Sequence, residues 1–210
     1  NAQGRKKHAG DAIFEDVNND GQLDSKDMKF MGYIRPDKVG GIVNSFKYKG
    51  LTVRVVMDWA MGHVIDNGFK GQIMGSSRNN NNAIKDAMTN SWQSANDGTK
   101  YPKYTVQSDY DYQYRNHMRW DNQIGSSESG STNNSLYFSK GDYLAFREVS
   151  LSYMLPSTWV RKIRLSGVEV FAGAYNIGYI KKYDGMFPEI YTGVDYGVYP
   201  RPRQYNMGVK

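Results

Sequence analysis

The sequence predicts an all-β, antiparallel chain, and three observations carry that prediction. The 210 residues include 17 Tyr and 22 Gly but only 6 Pro, a balance that favours strands and turns over helices. The segment Leu51–Ala60 alternates: Leu51, Val53, Val55, Met57 and Trp59 share one parity, and Thr52, Arg54, Val56, Asp58 and Ala60 the other. The strand-like segments are joined by connections that alternate short and long, as hairpins with unequal loops require.

Composition narrows the function classes. There is no cysteine, so neither a disulfide framework nor a thiolate zinc site can form. The net charge of +6 describes a mildly basic surface. No basic cluster is interleaved with aromatics, so no nucleic-acid partner is expected; the densest run, Arg5-Lys6-Lys7-His8, is short. No apolar run approaches a membrane helix and nothing reads as a signal peptide. That does not bear on a membrane barrel, whose strands alternate and never sum to an apolar window. The three histidines, His8, His63 and His117, lie far apart. No nucleophile–base order, paired-carboxylate motif or phosphate-cradling loop appears, and the chain is expected not to be an enzyme.

Residues 1–40 read as loop. The stretch GIVNSFKYKGLTVRVVMDWAMG, Gly41–Gly62, reads as two strands around a tight turn at Tyr48-Lys49-Gly50. A strand of about ten residues suits a tilted bilayer crossing, but the half-buried strand of a soluble sandwich alternates equally well. Residues 63–140 are long and polar, with one short helix expected in NNAIKDAMTNSW. Tyr101, Tyr104, Tyr110, Tyr112, Tyr114 and Trp120 are either stacking platforms for a ligand or packing within the loop itself.

Strands return at Asp142–Leu155. Leu144 and Phe146 have one parity and Val149, Leu151 and Tyr153 the other, so a β-bulge near Arg147-Glu148 is expected to bring all five to one side. PSTWVRKIRLSG is a short connection, VEVFAGAYNIGYI the next strand, and RQYNMGVK the last, with Tyr205, Met207 and Val209 alternating. Five strands cannot close a barrel and leave edges unpaired. The chain is therefore either a sandwich with an odd loop or part of something larger.

The stretch DVNNDGQLDSKD has the spacing of an EF-hand-type calcium loop. With Asp16 at position 1, Asn18 stands at 3, Asp20 at 5, Gly21 at 6, Gln22 at 7, Asp24 at 9 and Asp27 at 12. Such a loop needs side-chain oxygens at 1, 3, 5 and 12, glycine at 6 for the sharp turn, and the carbonyl of 7. Expected ligands of one structural Ca2+ are the side chains of Asp16, Asn18, Asp20 and Asp27, the Gln22 carbonyl, and Asp24 directly or through water. Asp27 replaces the usual Glu, and its shorter arm makes two-oxygen ligation harder. The alternative is a metal-free loop rich in Asx turns.

Four segments, in order along the chain, resemble the SusC/RagA family of TonB-linked outer-membrane transporters. YFSKGDYLAFREVSLSYMLP (Tyr137–Pro156) resembles the family's F-x-x-G-D-Y-L-R-L-K-N-V-T-L-G-Y-x-L-P. YNIGYIKKYDGMFPE (Tyr175–Glu189) is similar to its Q-N-L-F-x-x-T-K-Y-x-G-x-D-P-E, and GVDYGVYPRPRQYNMGVK (Gly193–Lys210) to its closing G-V-D-Y-G-x-Y-P-x-P-R segment. GDAIFEDVNNDGQLDSKD at the start is similar to its G-D-I-K-F-x-D-V-N-G-D-G-x-I-D-x-x-D element. Ala145 stands where the family commonly has Arg, Met186-Phe187 replace a Tyr-Asp, and the chain stops at Lys210 without the family's terminal aromatic, so two or three residues are expected to be missing.

The resemblance implies an antiparallel transmembrane β-barrel fragment: about five C-terminal strands of a roughly 22-stranded barrel, with long extracellular loops. Residues 1–40 would be an extracellular loop carrying the calcium motif, and 41–210 the C-terminal strands with a long extracellular loop at about 61–140. The plug and TonB-box regions would be absent from this chain. The family implies TonB-dependent import of a nutrient, glycan or oligopeptide, across the outer membrane of a Gram-negative bacterium. Implied partners are a SusD-like surface lipoprotein, TonB through a region outside this chain, outer-membrane lipid and the remainder of the barrel. In that frame Leu51, Val53, Val55, Met57 and Trp59 face lipid, Arg54 and Asp58 face the lumen, and Glu148 is a lumen or rim carboxylate. The competing reading is a calcium-stabilised soluble β-domain for carbohydrate binding or adhesion. A dockerin-like module would need a second loop, and the sequence has one.

Overall fold

In the computed structural model the described residues are 9–10, 13, 15–21, 25–74, 84–99, 101–104 and 135–210. They form two compact units, one of residues 33–64, 140–191 and 198–210, the other of 1–32, 65–139 and 192–197.

The first unit is a five-stranded antiparallel sheet of β1 (Lys38–Tyr48), β2 (Leu51–Met61), β5 (Tyr143–Met154), β6 (Glu169–Lys181) and β7 (Gln204–Val209), in that spatial order. β1 begins at Lys38, inside the stretch expected to be loop, because Lys38 and Val39 pair with Met61 and Ala60. Lys49 and Gly50, both at positive φ (44° and 87°), make the two-residue turn between β1 and β2; this mirror-image turn matches the right-handed twist of the strands it joins. At Gly40 the Trp59 indole lies 2.4 Å from where a Cβ would stand, so only glycine lets that ring lie flat across β1.

The expected bulge is present. Phe146 pairs with Met57 and Glu148 with Val56, leaving Arg147 as the extra residue, and the register against β6 shifts at the same place. One extra residue restores parity. Leu144, Phe146, Val149, Leu151 and Tyr153 then share a face with Leu51, Val53, Val55, Met57 and Trp59. The same face continues through Ile42 and Phe46 on β1, Ala172 and Ala174 on β6, and Tyr205 and Met207 on β7. Much of it is bare: Phe46 is 60 % exposed, Ile180 65 % and Met207 87 %. The opposite face carries Arg54, Asp58, Arg147, Glu148, Ser150, Tyr175 and Tyr179.

All connections at one end of the sheet are short. There the Tyr48–Leu51 turn and the Met154–Glu169 connection meet the end of β7. The Met154–Glu169 connection is not plain loop: it contains a helical turn, Ser157–Val160, and a 3-10 turn, Arg161–Ile163, pinned by buried Val160. The two long connections, after β2 and after β6, leave from the other end.

The second unit lies in the stretch read as polar and weakly periodic. It holds β3 (Val64–Asp66) paired with β4 (Phe138–Lys140), α1 (Gly68–Met74) and α2 (Lys85–Thr89). α2 falls in the expected helix; β3, β4 and α1 are too short to show periodicity. Ile65 and Tyr137 are fully buried. Tyr101, 2 % exposed, packs with Ala87, Ile84 and Leu136 and donates to Asp86 at 2.7 Å, so this tyrosine packs the loop on itself. The GVDYG segment is structural here. Asp66 N–H donates to the Gly193 carbonyl, Asp195 N–H to the Asp66 carbonyl, and Phe69 N–H to the Asp195 carbonyl, at 2.8–2.9 Å.

Candidate functional site: a charge-paired polar wall

The polar face of the sheet is organised around Arg147, the residue the bulge adds. A bulge re-aims a side chain that regular pairing would fix. From β5 the guanidinium reaches β2 and grips Asp58 with two prongs, Nε to Oδ2 at 2.6 Å and Nη2 to Oδ1 at 2.8 Å. Its Nη1 lies 2.5 Å from Glu189 Oε1. Glu189 belongs to the loop after β6, and its side chain is 1 % exposed. Tyr179 donates its hydroxyl to Glu189 at 2.6 Å, and Arg201 lies 3.5 Å from the other carboxylate oxygen.

Aromatic rings close the cluster. Tyr179 meets Tyr143 and Phe187 edge to face at 5.9 and 5.8 Å. Arg147 lies 5.8 Å over the Tyr179 ring and Arg201 6.0 Å over Phe187. Ala145, 1 % exposed, pairs with both Asp58 and Tyr179 in the floor of this site. Further along the same face Arg54 stands 3.5 Å from Glu148, which accepts from Ser150 at 2.8 Å.

Such a cluster ties the loop after β6 to the sheet. A buried carboxylate is tolerated only when paired and hydrogen-bonded, and Glu189 accepts from Tyr179 and is paired with the Arg147 and Arg201 guanidinium groups. Two cations balance two carboxylates, while Arg201, Arg54 and Asp58 stay partly exposed. This is the chemistry of a charge-paired polar face, part of it open to water. Asp58 and Glu148, read from the sequence as lumen or rim carboxylates, both lie on this face. Glu189, Tyr179 and Arg201 have no local signal in the sequence, since they meet Arg147 across strands and a loop. The parity break at Arg147 was the one local signal.

A second polar knot stands at the long-connection end. The His63 ring lies where a Cβ on Gly141 would be, 2.3 Å away, and Gly141 N–H donates to the His63 carbonyl at 2.8 Å. Asp142 accepts from Gly62 N–H at 2.8 Å and from the Lys182 ammonium at 3.0 Å. Burial pushes the Asp142 carboxyl up, but those two donors and the nearby cationic charge outweigh it and hold its pKa below the ordinary 3.8. His63 is pushed below its ordinary 6.5 by burial, against the opposing pull of Asp142. The Gly-Asp-Tyr of the family-like segment thus acts structurally. His8 and His117 lie outside the described residues.

Of the metal-loop residues, Asp16, Asn18, Asp20 and Asp27 are described, while Gln22 and Asp24 lie outside the described residues. Asp16 accepts from the N–H groups of Asp20 (3.2 Å) and Gly21 (2.8 Å), and Asn18 accepts from Asp20 N–H at 3.0 Å. Asp27 closes the loop by accepting from Val17 N–H at 2.9 Å. Gly21 is left-handed (φ 77°), the conformation position 6 requires. The loop is therefore shaped as either reading needs. Among the described residues, no three His, Asp or Glu side chains converge as a metal group.

The class this fold defines is an antiparallel barrel wall, one face apolar and the other charged. No protein-family model matches the chain. It is 25% identical over 212 residues to TonB-dependent receptor P3 of Formosa agariphila, covering 95% of this chain and 19% of the relative. TonB-dependent receptor P39 of the same organism is 24% identical over 183 residues, covering 86% and 16%. Among solved structures, the RagAB peptide transporter aligns with a TM-score of 0.64 at 20% identity, over 90% of this chain and 20% of that one. The RagAB peptide importer in its closed-closed state gives 0.63 at 21%. The comparisons bear out the resemblance read from the sequence: over nearly its whole length the chain is similar to TonB-dependent receptors and shares the fold of the RagAB transporter, and it spans about a fifth of the length of these relatives.

Proposed function

We propose that the chain forms part of the wall of a TonB-dependent outer-membrane importer of nutrients, glycan or oligopeptide, working with a SusD-like surface lipoprotein. The observation that carries this reading is the two-faced sheet. An apolar face exposed from β1 to β7 suits lipid, and a charge-paired opposite face suits an aqueous lumen. A soluble calcium-stabilised domain would need that apolar face covered, since exposed patches of this extent are unusual in soluble monomers.

In this reading the short-connection end faces the periplasm, and the loops at about 61–140 and 182–203 face outward. The Arg147–Glu189 cluster ties the second of these loops to the lumen wall. The first, which has no counterpart in the family pattern, lines the outer vestibule or meets the lipoprotein, because loops on a rigid scaffold carry specificity. We also propose that the Asp16–Asp27 loop holds one structural Ca2+, whose charge would offset repulsion among its carboxylates. The SusC/RagA reading and the RagAB peptide importers support an oligopeptide as first cargo to test. In cells lacking the intact transporter, uptake of labelled oligopeptides and of oligosaccharides is compared before and after its restoration. TonB-dependent gain of neither cargo would sink the importer reading.

A further inference from the structure

The short-connection end of the sheet differs in charge from the other end. Lys47, Lys49, Arg161, Lys162, Arg164 and Lys210 are all exposed there, and Glu169 is the carboxylate beside them. The connection Leu155–Val168 contains no Asp or Glu. At the opposite end cations are matched by acids, as in Lys182 with Asp142. The basic connection is also apolar on its outside: Trp159 is 63 % exposed, Ile163 65 % and Leu165 49 %. The buried Val160 anchors the turn, and Arg164, held left-handed at φ 60°, ends it. On the neighbouring turn, Lys49 lies 5.3 Å over the Tyr48 ring.

Basic groups so far in excess of acids would repel one another and gain nothing from a neutral surface. Trp, Ile and Leu left bare beside them gain nothing from water. Both costs are relieved at the boundary of an anionic membrane leaflet, where phosphates meet the cations and the apolar side chains enter the acyl region.

We propose that the turn Trp159–Leu165 is a binding site for an anionic glycerophospholipid headgroup. Arg161, Lys162 and Arg164 hold the phosphate, and Trp159, Ile163 and Leu165 seat the glycerol and upper acyl chains. The inference rests on the barrel reading above and adds a lipid to it. It needs no movement of the strands.

The test uses the whole transporter in nanodiscs containing phosphatidylglycerol or phosphatidylcholine. Lipid retained after mild detergent exchange is counted by native mass spectrometry. Wild type should retain phosphatidylglycerol over phosphatidylcholine by roughly tenfold or more, and Arg161→Gln/Lys162→Gln/Arg164→Gln should bring the ratio near one. Trp159→Ala should lower retention of both lipids. All three cations are exposed, so the variant should still fold, and the heat-dependent gel shift of a barrel checks that. A folded barrel whose triple variant keeps the same preference, or whose wild type shows none, overturns the lipid site alone. So does a triple variant whose change is the loss of an acidic periplasmic protein instead of lipid. A chain that gives no detergent-dependent barrel overturns both readings.

Discussion

The Arg147 guanidinium and the Asp58 carboxylate meet in a two-pronged bridge from the bulge of β5 to the adjacent strand β2, at 2.6 and 2.8 Å. The same guanidinium holds the buried Glu189 of the β6–β7 loop. Its planar fork lets one side chain serve two carboxylates, which a point-charge ammonium does poorly.

Arg147→Ala should leave Glu189 buried without its main cation. Its cost should be about 3 kcal/mol, near the lower end for breaking a buried pair because Asp58 is partly exposed. Arg147→Lys should recover only part of it. Glu189→Gln should cost less, about 1–2 kcal/mol, since a hydrogen-bonding amide replaces the charge. Denaturant unfolding of the whole barrel, with limited proteolysis at 182–203, reads both effects. A loop equally resistant in Arg147→Ala would show that the cluster does not hold it.

Val55→Arg and Val56→Arg separate the two faces. Val55 lies on the apolar face beside Asn44 and Val149, and Val56 on the polar face beside Glu148. In a bilayer Val55→Arg should cost about 2–4 kcal/mol and Val56→Arg close to nothing. Equal costs would mean that the apolar face does not meet lipid.

His63 should make the long-connection end sensitive to acid. Burial lowers its folded pKa below 6.5, so the unfolded chain binds the proton more readily. The stabilisation is present above the unfolded pKa and is lost as pH falls through it towards the lower folded value. Hydrogen exchange at the Val64 and Gly141 amides, corrected for intrinsic rates, should speed up between about pH 8 and about pH 5. His63→Phe should flatten that dependence. A profile with the same slope in both proteins would assign the sensitivity elsewhere.

Gly141→Ala should also loosen this end, by about 1–3 kcal/mol, because its methyl would meet the His63 ring. Faster exchange at Val64 with the sheet amides unchanged is the expected pattern. A barrel indifferent to the substitution would mean the ring is free to move aside.

Metal removal tests the Asp16–Asp27 loop. With calcium bound, chelation should increase protease cleavage within 11–30 and Asp20→Ala should match it, while the strands keep their protection. A purified transporter with no bound ion, and equal cleavage with and without chelator, would leave the metal-free Asx-turn reading standing.

The strands and their faces were legible in the sequence because each rests on a local rule. Alternation in Leu51–Trp59 set the apolar face, Lys49-Gly50 marked the turn, and the parity break after Phe146 located the bulge. The quoted segments carried the SusC/RagA resemblance, and the spacing from Asp16 to Asp27 carried the loop. Tertiary structure alone decided what those segments do. Asp58, Arg147, Glu189 and Arg201 are scattered along the chain and meet only after β2 and β5 pair and the β6–β7 loop folds back. Order inside residues 63–140 was hidden too: β3, β4 and α1 are too short for a repeating pattern to show, and β3 and α1 are held by backbone bonds to distant residues such as Gly193 and Asp195. Periodicity is a property of neighbours in sequence, whereas charge pairing depends on neighbours in space, and the bulge at Arg147 is where the first determined the second.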